Sequence, residues 1–327
     1  MKRPLFSLPV RVSLYALLGV VVYKVIAANP RLGPMPTAAQ ALGDLSKLPA
    51  AQRAALEADA AFFQPIRKPE PMDWLAHHKE PGQTVAEYAA VLPQSRPKGT
   101  QKTLCVLPLG DFGPDAPSLK TLSEYCTVFF GMETRVLEAV ALDKVPAKRR
   151  TNPNTKKLQL LTTDILGWLP SRKPADAYAL IAVTMEDLYP QESWNFVFGQ
   201  ALLQGGAGVF SFARYDPAFY GEARDAETRA LILRRSCKVL SHEMGHMFGL
   251  LHCVFYECIM NGSNHLDETD SRPMHLCPVC LRKLHMAAGF ELAKRETALS
   301  AFFTAQSMRA EAEWTRRRVE KMEKAGK

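Results

Sequence analysis

Acidic residues are missing from the first 43 positions of this 327-residue chain, a stretch that still carries Lys2, Arg3, Arg11, Lys24 and Arg31. The charge-free run inside it, Val12 to Tyr23, is 12 residues long. That is short of the roughly 20 that a spanning helix needs, although Val25 to Ala28 extend it beyond Lys24, whose long stem can snorkel. Three readings stay open for this segment: an anchor or targeting sequence, a cleaved export signal, or a helix packed on the protein. No internal repeat is present. No nucleic-acid-binding module accompanies the formal net charge of +8, part of which lies in the basic start and in Arg316, Arg317 and Arg318. That balance speaks for solubility and against a nucleic-acid partner. Cysteine is sparse outside one cluster. Cys105, Cys126 and Cys237 are scattered through apolar or helical runs, as buried free thiols are, a pattern that suits a reducing compartment better than a disulfide scaffold.

What is present suits a folded soluble protein, with 47% hydrophobic and 23% charged residues. From Asn29 to Lys102 Pro-rich joints alternate with short Ala-rich segments, and Pro49 to Phe63 is expected to be a helix with proline in its first turn. The turn-rich stretch at 93–102 marks a boundary. Beyond it, Thr103 to Leu109 predicts a buried strand and Ser118 to Phe130 a helix. A strand at Thr134 to Val140, a helix at Leu158 to Leu169 and a strand at Ala177 to Thr184 follow. That order implies a largely parallel sheet. Trp194 to Leu203 and Val209 to Tyr215 predict a hairpin, with FGQA (198–201) fitting an ordinary edge strand better than an edge that pairs with an extended peptide substrate. Asp225 to Phe248 reads as one long helix. The expected divisions are an N-terminal segment at 1–28, an extension at 29–102, a catalytic domain at 103–290 and a charged, solvated helix at 291–327.

The chemistry is concentrated between Ser241 and Cys280. His242, Glu243, His246, Gly249 and His252 form H-E-x-x-H-x-x-G-x-x-H, whose first five positions are a zinc-protease signature. A helix turns about 100° per residue, so His242 and His246 share one face and can reach one metal. Glu243 is offset around the helix and is placed to serve a metal-bound water. His252 would be rotated by about 240° from His246 on a continued helix. The chain must therefore turn, and Gly249 tolerates the left-handed backbone that ends a helix. Three neutral histidines leave one position for water, as in a catalytic zinc site, with Glu243 as general base and acid. Cys253, Cys258, Cys277 and Cys280 supply thiols at the spacing of a structural zinc site. Because Cys253 follows His252 directly, a metal on the thiols would brace the loop that delivers the third histidine. Met260 fits either an apolar floor under the ligands or plain core, which is the commoner role of such a residue. His265, His275 and His285 stand outside any ligand spacing.

These residues resemble the metzincin zinc peptidases, and the interleaved cysteines narrow the resemblance to the archaemetzincins. Stretches 187–201 and 208–215 are similar to the eukaryotic-type members. The resemblance implies an α+β fold of the metzincin-like zincin type. It has a twisted mixed sheet, a long active-site helix, and a smaller C-terminal part with a methionine turn at Met260 and a four-cysteine zinc site. It also implies two zinc ions, one catalytic on the three histidines and one structural on the four cysteines, with Glu243 as the catalytic acid and base. The expected activity is peptide-bond hydrolysis, aminopeptidase-like, on small peptides. The rival expectation is a zinc-stabilised peptide-binding protein with little turnover, and an intact Glu243 speaks against it. Nothing points to nucleic acid. An intracellular protein is expected, with membrane association through residues 12–28 if that segment is an anchor.

Overall fold

The computed structural model describes residues 34–202 and 206–325. The segment at 1–28, with the membrane association expected of it, lies outside the described residues. No described helix is long and apolar enough to cross a membrane.

Four short helices come first: α1 (Ala38–Leu42), α2 (Ala50–Leu56), α3 (Trp74–His77) and α4 (Val85–Ser95). Next are β1 (Thr103–Leu109), α5 (Leu119–Phe130), β2 (Glu133–Val136), β3 (Arg149–Thr151), β4 (Leu158–Leu161) and α6 (Thr162–Trp168). After these come β5 (Ala177–Thr184), β6 (Asp187–Tyr189), β7 (Gly199–Leu202), β8 (Ala207–Ser211) and the 20-residue α7 (Thr228–Met247). The chain ends in α8 (Leu266–Ser271), α9 (Pro278–Ala288), α10 (Leu292–Ala305) and α11 (Arg309–Ala325). This is an α+β fold.

The main sheet has the order β2-β1-β5-β8-β7, parallel except for β7, which pairs antiparallel with β8 at the edge. A second sheet, β3-β4-β6, packs through Leu160 and Leu188 into the core on one face of the first. β1 is buried along its whole length because both faces of the sheet are covered. Its alternate residues enter different cores: Leu104 and Val106 join the layer with α5, α7 and α10, while Cys105, Leu107 and Leu109 join the layer with α6. The first of these layers also takes in Ala41 and Met322, so both ends of the described chain pack into the core that carries α7.

Several elements differ from expectation. Leu158 to Leu169 is not one helix: its first four residues pair with β3 and β6 as strand β4, and only then does α6 begin. The strand expected to Val140 stops at Val136, although Val140 rejoins β1 through an isolated bridge to Leu109. The helix expected from Pro49 ends at Leu56, and Pro49 is its cap instead of lying in its first turn. In the hairpin the first strand shortens to Gly199–Leu202, where a Cβ on Gly199 would fall 1.9 Å from Phe210 Cδ1. The glycine thus admits an aromatic ring across the edge strand.

The charged tail is no solvated helix. It folds back as the α10–α11 pair, turning at Ser307, whose φ of 57° lies in the left-handed region. Arg318 is fully buried, with its guanidinium 4.8 Å from the centre of the Phe63 ring and 5.2 Å from that of Phe62. Flat aromatic faces let a sequence rich in charge pack inward, which composition alone conceals.

Candidate metal centre

Helix α7 reaches the site fixed at its C-terminal end. Tyr178 Oη on β5 donates to Met247 O at 2.7 Å, and Tyr88 Oη on α4 donates to Phe248 O at 2.7 Å. Near the middle Tyr125 Oη of α5 donates to Ser241 Oγ at 3.2 Å. The helix stops as expected, with Gly249 at φ 82°. Leu250 N–H then donates to Gly245 O at 3.1 Å, closing the turn that sends His252 back toward the helix.

The turn brings His242, His246 and His252 together, with ligand-capable nitrogens all within 4.8 Å of one another. Each ring is oriented through Nδ1. His242 Nδ1 lies 2.8 Å from Ile259 O, His246 Nδ1 2.6 Å from Leu250 O, and His252 Nδ1 2.8 Å from Glu80 Oε1. All three partners are acceptors, so the proton sits on Nδ1 and Nε2 is left with its lone pair. His242 Nε2 and His246 Nε2 are 3.0 Å apart. Two lone pairs at that distance repel unless a cation sits between them, so the donor set fits zinc. Burial, then the neighbouring His252, pushes the His242 imidazole down to about 3, and burial with two histidine neighbours pushes His246 well down too. Both rings are neutral, as metal ligands must be.

Cys253, Cys258, Cys277 and Cys280 are buried, and their sulfurs also lie within 4.8 Å of one another. Cys253 Sγ and Cys277 Sγ stand 3.5 Å apart, far beyond the roughly 2.05 Å of a disulfide. Met260 N–H and Cys277 N–H both donate to Cys258 Sγ, at 3.5 and 3.2 Å. Hydrogen bonds from the other three thiols hold Cys253 well below its ordinary value, while burial pushes Cys258 and Cys277 well above theirs. Cys253 N–H donates to Met260 O at 2.8 Å, which closes the loop carrying Met260 back onto the strand of chain that carries His252.

Glu243 lines a small recess of about 30 Å³ together with His242, Tyr215, Val239, Ile259 and Arg272. Burial alone raises its carboxyl to about 8, and a zinc ion on the neighbouring histidines would oppose that rise by favouring the carboxylate. Met260 is fully buried beneath the helix. The remaining histidines lie elsewhere: His275 stacks on Trp314 with ring centres 3.8 Å apart, and His285 Nδ1 lies 2.8 Å from Phe290 O. His265 caps α8, its Nδ1 accepting from Glu268 N–H at 3.2 Å.

Sequence reasoning missed the contribution of residues 64–83. Glu80 Oε1 accepts from both His252 Nδ1 and Trp74 Nε1, at 2.8 and 2.7 Å, and Trp74 meets His252 edge-on with centres 5.2 Å apart. Burial alone would raise the Glu80 carboxyl, but the hydrogen bonds from His252 and Trp74 outweigh it and hold it below its ordinary value. Gln83 spans the turn, donating to Gly249 O and accepting from Leu251 N–H, each at 3.2 Å. No periodicity or ligand spacing links position 80 to position 252; only the fold does. Asp73, His265 and Glu268 also cluster. Glu268 accepts from Trp74 N–H, Asn264 N–H and Arg272, so this trio latches Trp74 in place.

A family model described as peptidase family M54 matches residues 157–286. Archaemetzincin-2 of Macaca fascicularis is 38% identical over 265 residues, covering 73% of this chain and 74% of that protein. Human archaemetzincin-1 is 31% identical over 251 residues, covering 68% of this chain and 50% of that protein. Among solved structures, an archaemetzincin from Methanopyrus kandleri is 30% identical, with a TM-score of 0.44 over 59% of this chain and 99% of its own. A zinc-dependent peptidase from Methanocorpusculum labreanum is 26% identical, with a TM-score of 0.45 over 55% of this chain and 99% of its own. The matched span of the family model contains all three histidines and all four cysteines but neither Trp74 nor Glu80.

Proposed function

Because this chain belongs to the archaemetzincins, zinc metallopeptidases of family M54, we propose that Glu243 drives its peptide hydrolysis beside a zinc ion held by His242, His246 and His252. One observation carries the reading: three Nε2 lone pairs converge where every Nδ1 is already engaged, one residue from a carboxylate that opens onto a recess. Zinc bound there supplies Lewis acidity. Glu243 takes a proton from the attacking water and hands it to the leaving amine. A second zinc on Cys253, Cys258, Cys277 and Cys280 is structural, and two zinc ions per chain follow. Small peptides cleaved in aminopeptidase fashion are the proposed substrates, and the resemblance to the family supports that choice.

The test is cleavage of a peptide library read by mass spectrometry, with Glu243→Gln as control. Release of single N-terminal residues by wild type, lost in the variant, is the expected result. Internal cuts would reject the aminopeptidase reading, and activity surviving in Glu243→Gln would reject the role of Glu243. Metal analysis showing one zinc per chain would reject the second ion. We also place the protein inside the cell, as its unpaired buried thiols suggest, with residues 12–28 as a membrane anchor or targeting segment. Fractionation of the full chain against a chain lacking residues 1–28 tests this; identical distribution of the two would remove the role of the segment.

A further inference from the structure

The chain from Gln64 to Gln83 wraps the metal-bearing loop. Glu257 N–H donates to Gln64 O at 2.9 Å, Asn264 Nδ2 donates to Met72 O at 3.1 Å, and Trp74 N–H donates to both oxygens of Glu268 at 3.1 Å. These contacts lead to one atom. Glu80 Oε1 receives the Trp74 indole N–H and the His252 Nδ1–H, in a place where Glu80 and His252 are both almost wholly buried. The indole cannot drift, since Gly262 leaves it room and no more: a Cβ there would lie 2.5 Å from Trp74 Cδ1. Two of the three histidines orient themselves on backbone carbonyls within their own segment. His252 alone depends on a side chain, and a charged one, from 172 residues away.

We infer that Glu80, held by Trp74, is a positioning residue for the histidine metal site, supplied by a part of the chain that the family model does not match. A carboxylate on Nδ1–H fixes the tautomer that presents Nε2, aims the ring, and makes Nε2 a stronger donor than a carbonyl partner would. The segment before β1 is therefore part of the metal site and not a dispensable extension. The inference rests on the proposed zinc site at the three histidines.

The experiment is competition for zinc between the full-length protein and a chromogenic chelator, in wild type, Glu80→Gln, Glu80→Ala and Gly262→Ala. His246→Ala identifies which of the released ions belongs to the histidines. Removal of such a carboxylate partner weakens metal binding by about 10–100-fold. The expected result is a loss of that size in Glu80→Ala and a smaller one in Glu80→Gln. The thiolate metal should be unaffected, the chelator-stripped Glu80→Gln should melt no lower than wild type, and the visible spectrum of cobalt at the histidines should change. Gly262→Ala should reproduce part of the loss without touching Glu80. Glu80→Gln keeps both acceptor contacts, so it carries the test if Glu80→Ala fails to fold. Wild-type affinity and an unchanged cobalt spectrum in Glu80→Gln would overturn the inference alone. Failure of wild type to take up zinc at the histidines would overturn the zinc-site reading and this inference with it.

Discussion

Met260 lies directly against the active-site helix at Gly245, where an added Cβ would meet its sulfur at 2.6 Å and its terminal methyl at 3.1 Å. The absence of a side chain on α7 is what lets the methionine come so close beneath the histidines.

Replacement of Gly245 by Ala should therefore destabilise the protein by about 1–3 kcal/mol through overpacking, although alanine is the better helix former by about 1 kcal/mol. Met260→Ala alone should cost about 2–5 kcal/mol as a buried cavity. The two changes together should cost less than their sum, because each relieves the strain or void of the other. Denaturant unfolding of the four proteins gives the coupling, and strict additivity would reject the contact.

Conversion of Cys277 and Cys280 to Ser should lower zinc occupancy at the histidines as well as at the thiols. The route is short: Cys253 N–H holds Met260 O at 2.8 Å, and Cys253 is bonded to His252. Metal content per chain, with His246→Ala as reference, reports each site. Full zinc at the histidines in the double variant would show that the two sites are independent.

Asp187 and Arg214 form a two-pronged pair, with both bonds at 2.7 Å and side chains at most 1% exposed. Asp187→Ala leaves a guanidinium buried and unmatched, and should cost about 3–5 kcal/mol. Joint replacement by Leu at 187 and Met at 214 should be milder, because no charge is stranded. Chemical denaturation midpoints at constant slope check both outcomes.

Asp216 gives a pH dependence with a definite sign. Burial alone would raise its carboxyl, but Arg224 and the Ala218 N–H outweigh burial and hold it below its ordinary 3.8. The folded state then binds fewer protons than the unfolded one in acid. The contribution of Asp216 is complete above the unfolded value and disappears as pH falls from about 4 through the folded value. Asp216→Asn should cost about 1 kcal/mol at neutral pH, and the gap from wild type should close in acid. A gap that widens below pH 4, in melts taken at matched pH, would contradict the assignment.

Short-range patterns were the legible part of this chain. The helix entering the motif, the turn at Gly249, the buried strand at Thr103–Leu109 and the grouping of both ligand sets follow from spacing and backbone preference, which act over a few residues. Leu158–Leu161 misled because an apolar run of four fits a strand or a helix turn equally, and only pairing with β3 and β6 decides. The tail misled because charge suggested solvent, whereas Arg318 is buried against aromatic rings. Glu80 was hidden for a different reason. A carboxylate that acts through a histidine has no required sequence distance from it, so no pattern announces it.

The clasp between Glu80 and His252 also sets an order of events during synthesis. Residues 64–83 leave the ribosome long before His252 exists, and the thiols at 277 and 280 come later still. The carboxylate must wait for its imidazole while about half the chain is made, and no prefix ending before His252 can assemble the site. A nascent chain of this kind stays without hydrolytic power until its fold is nearly complete.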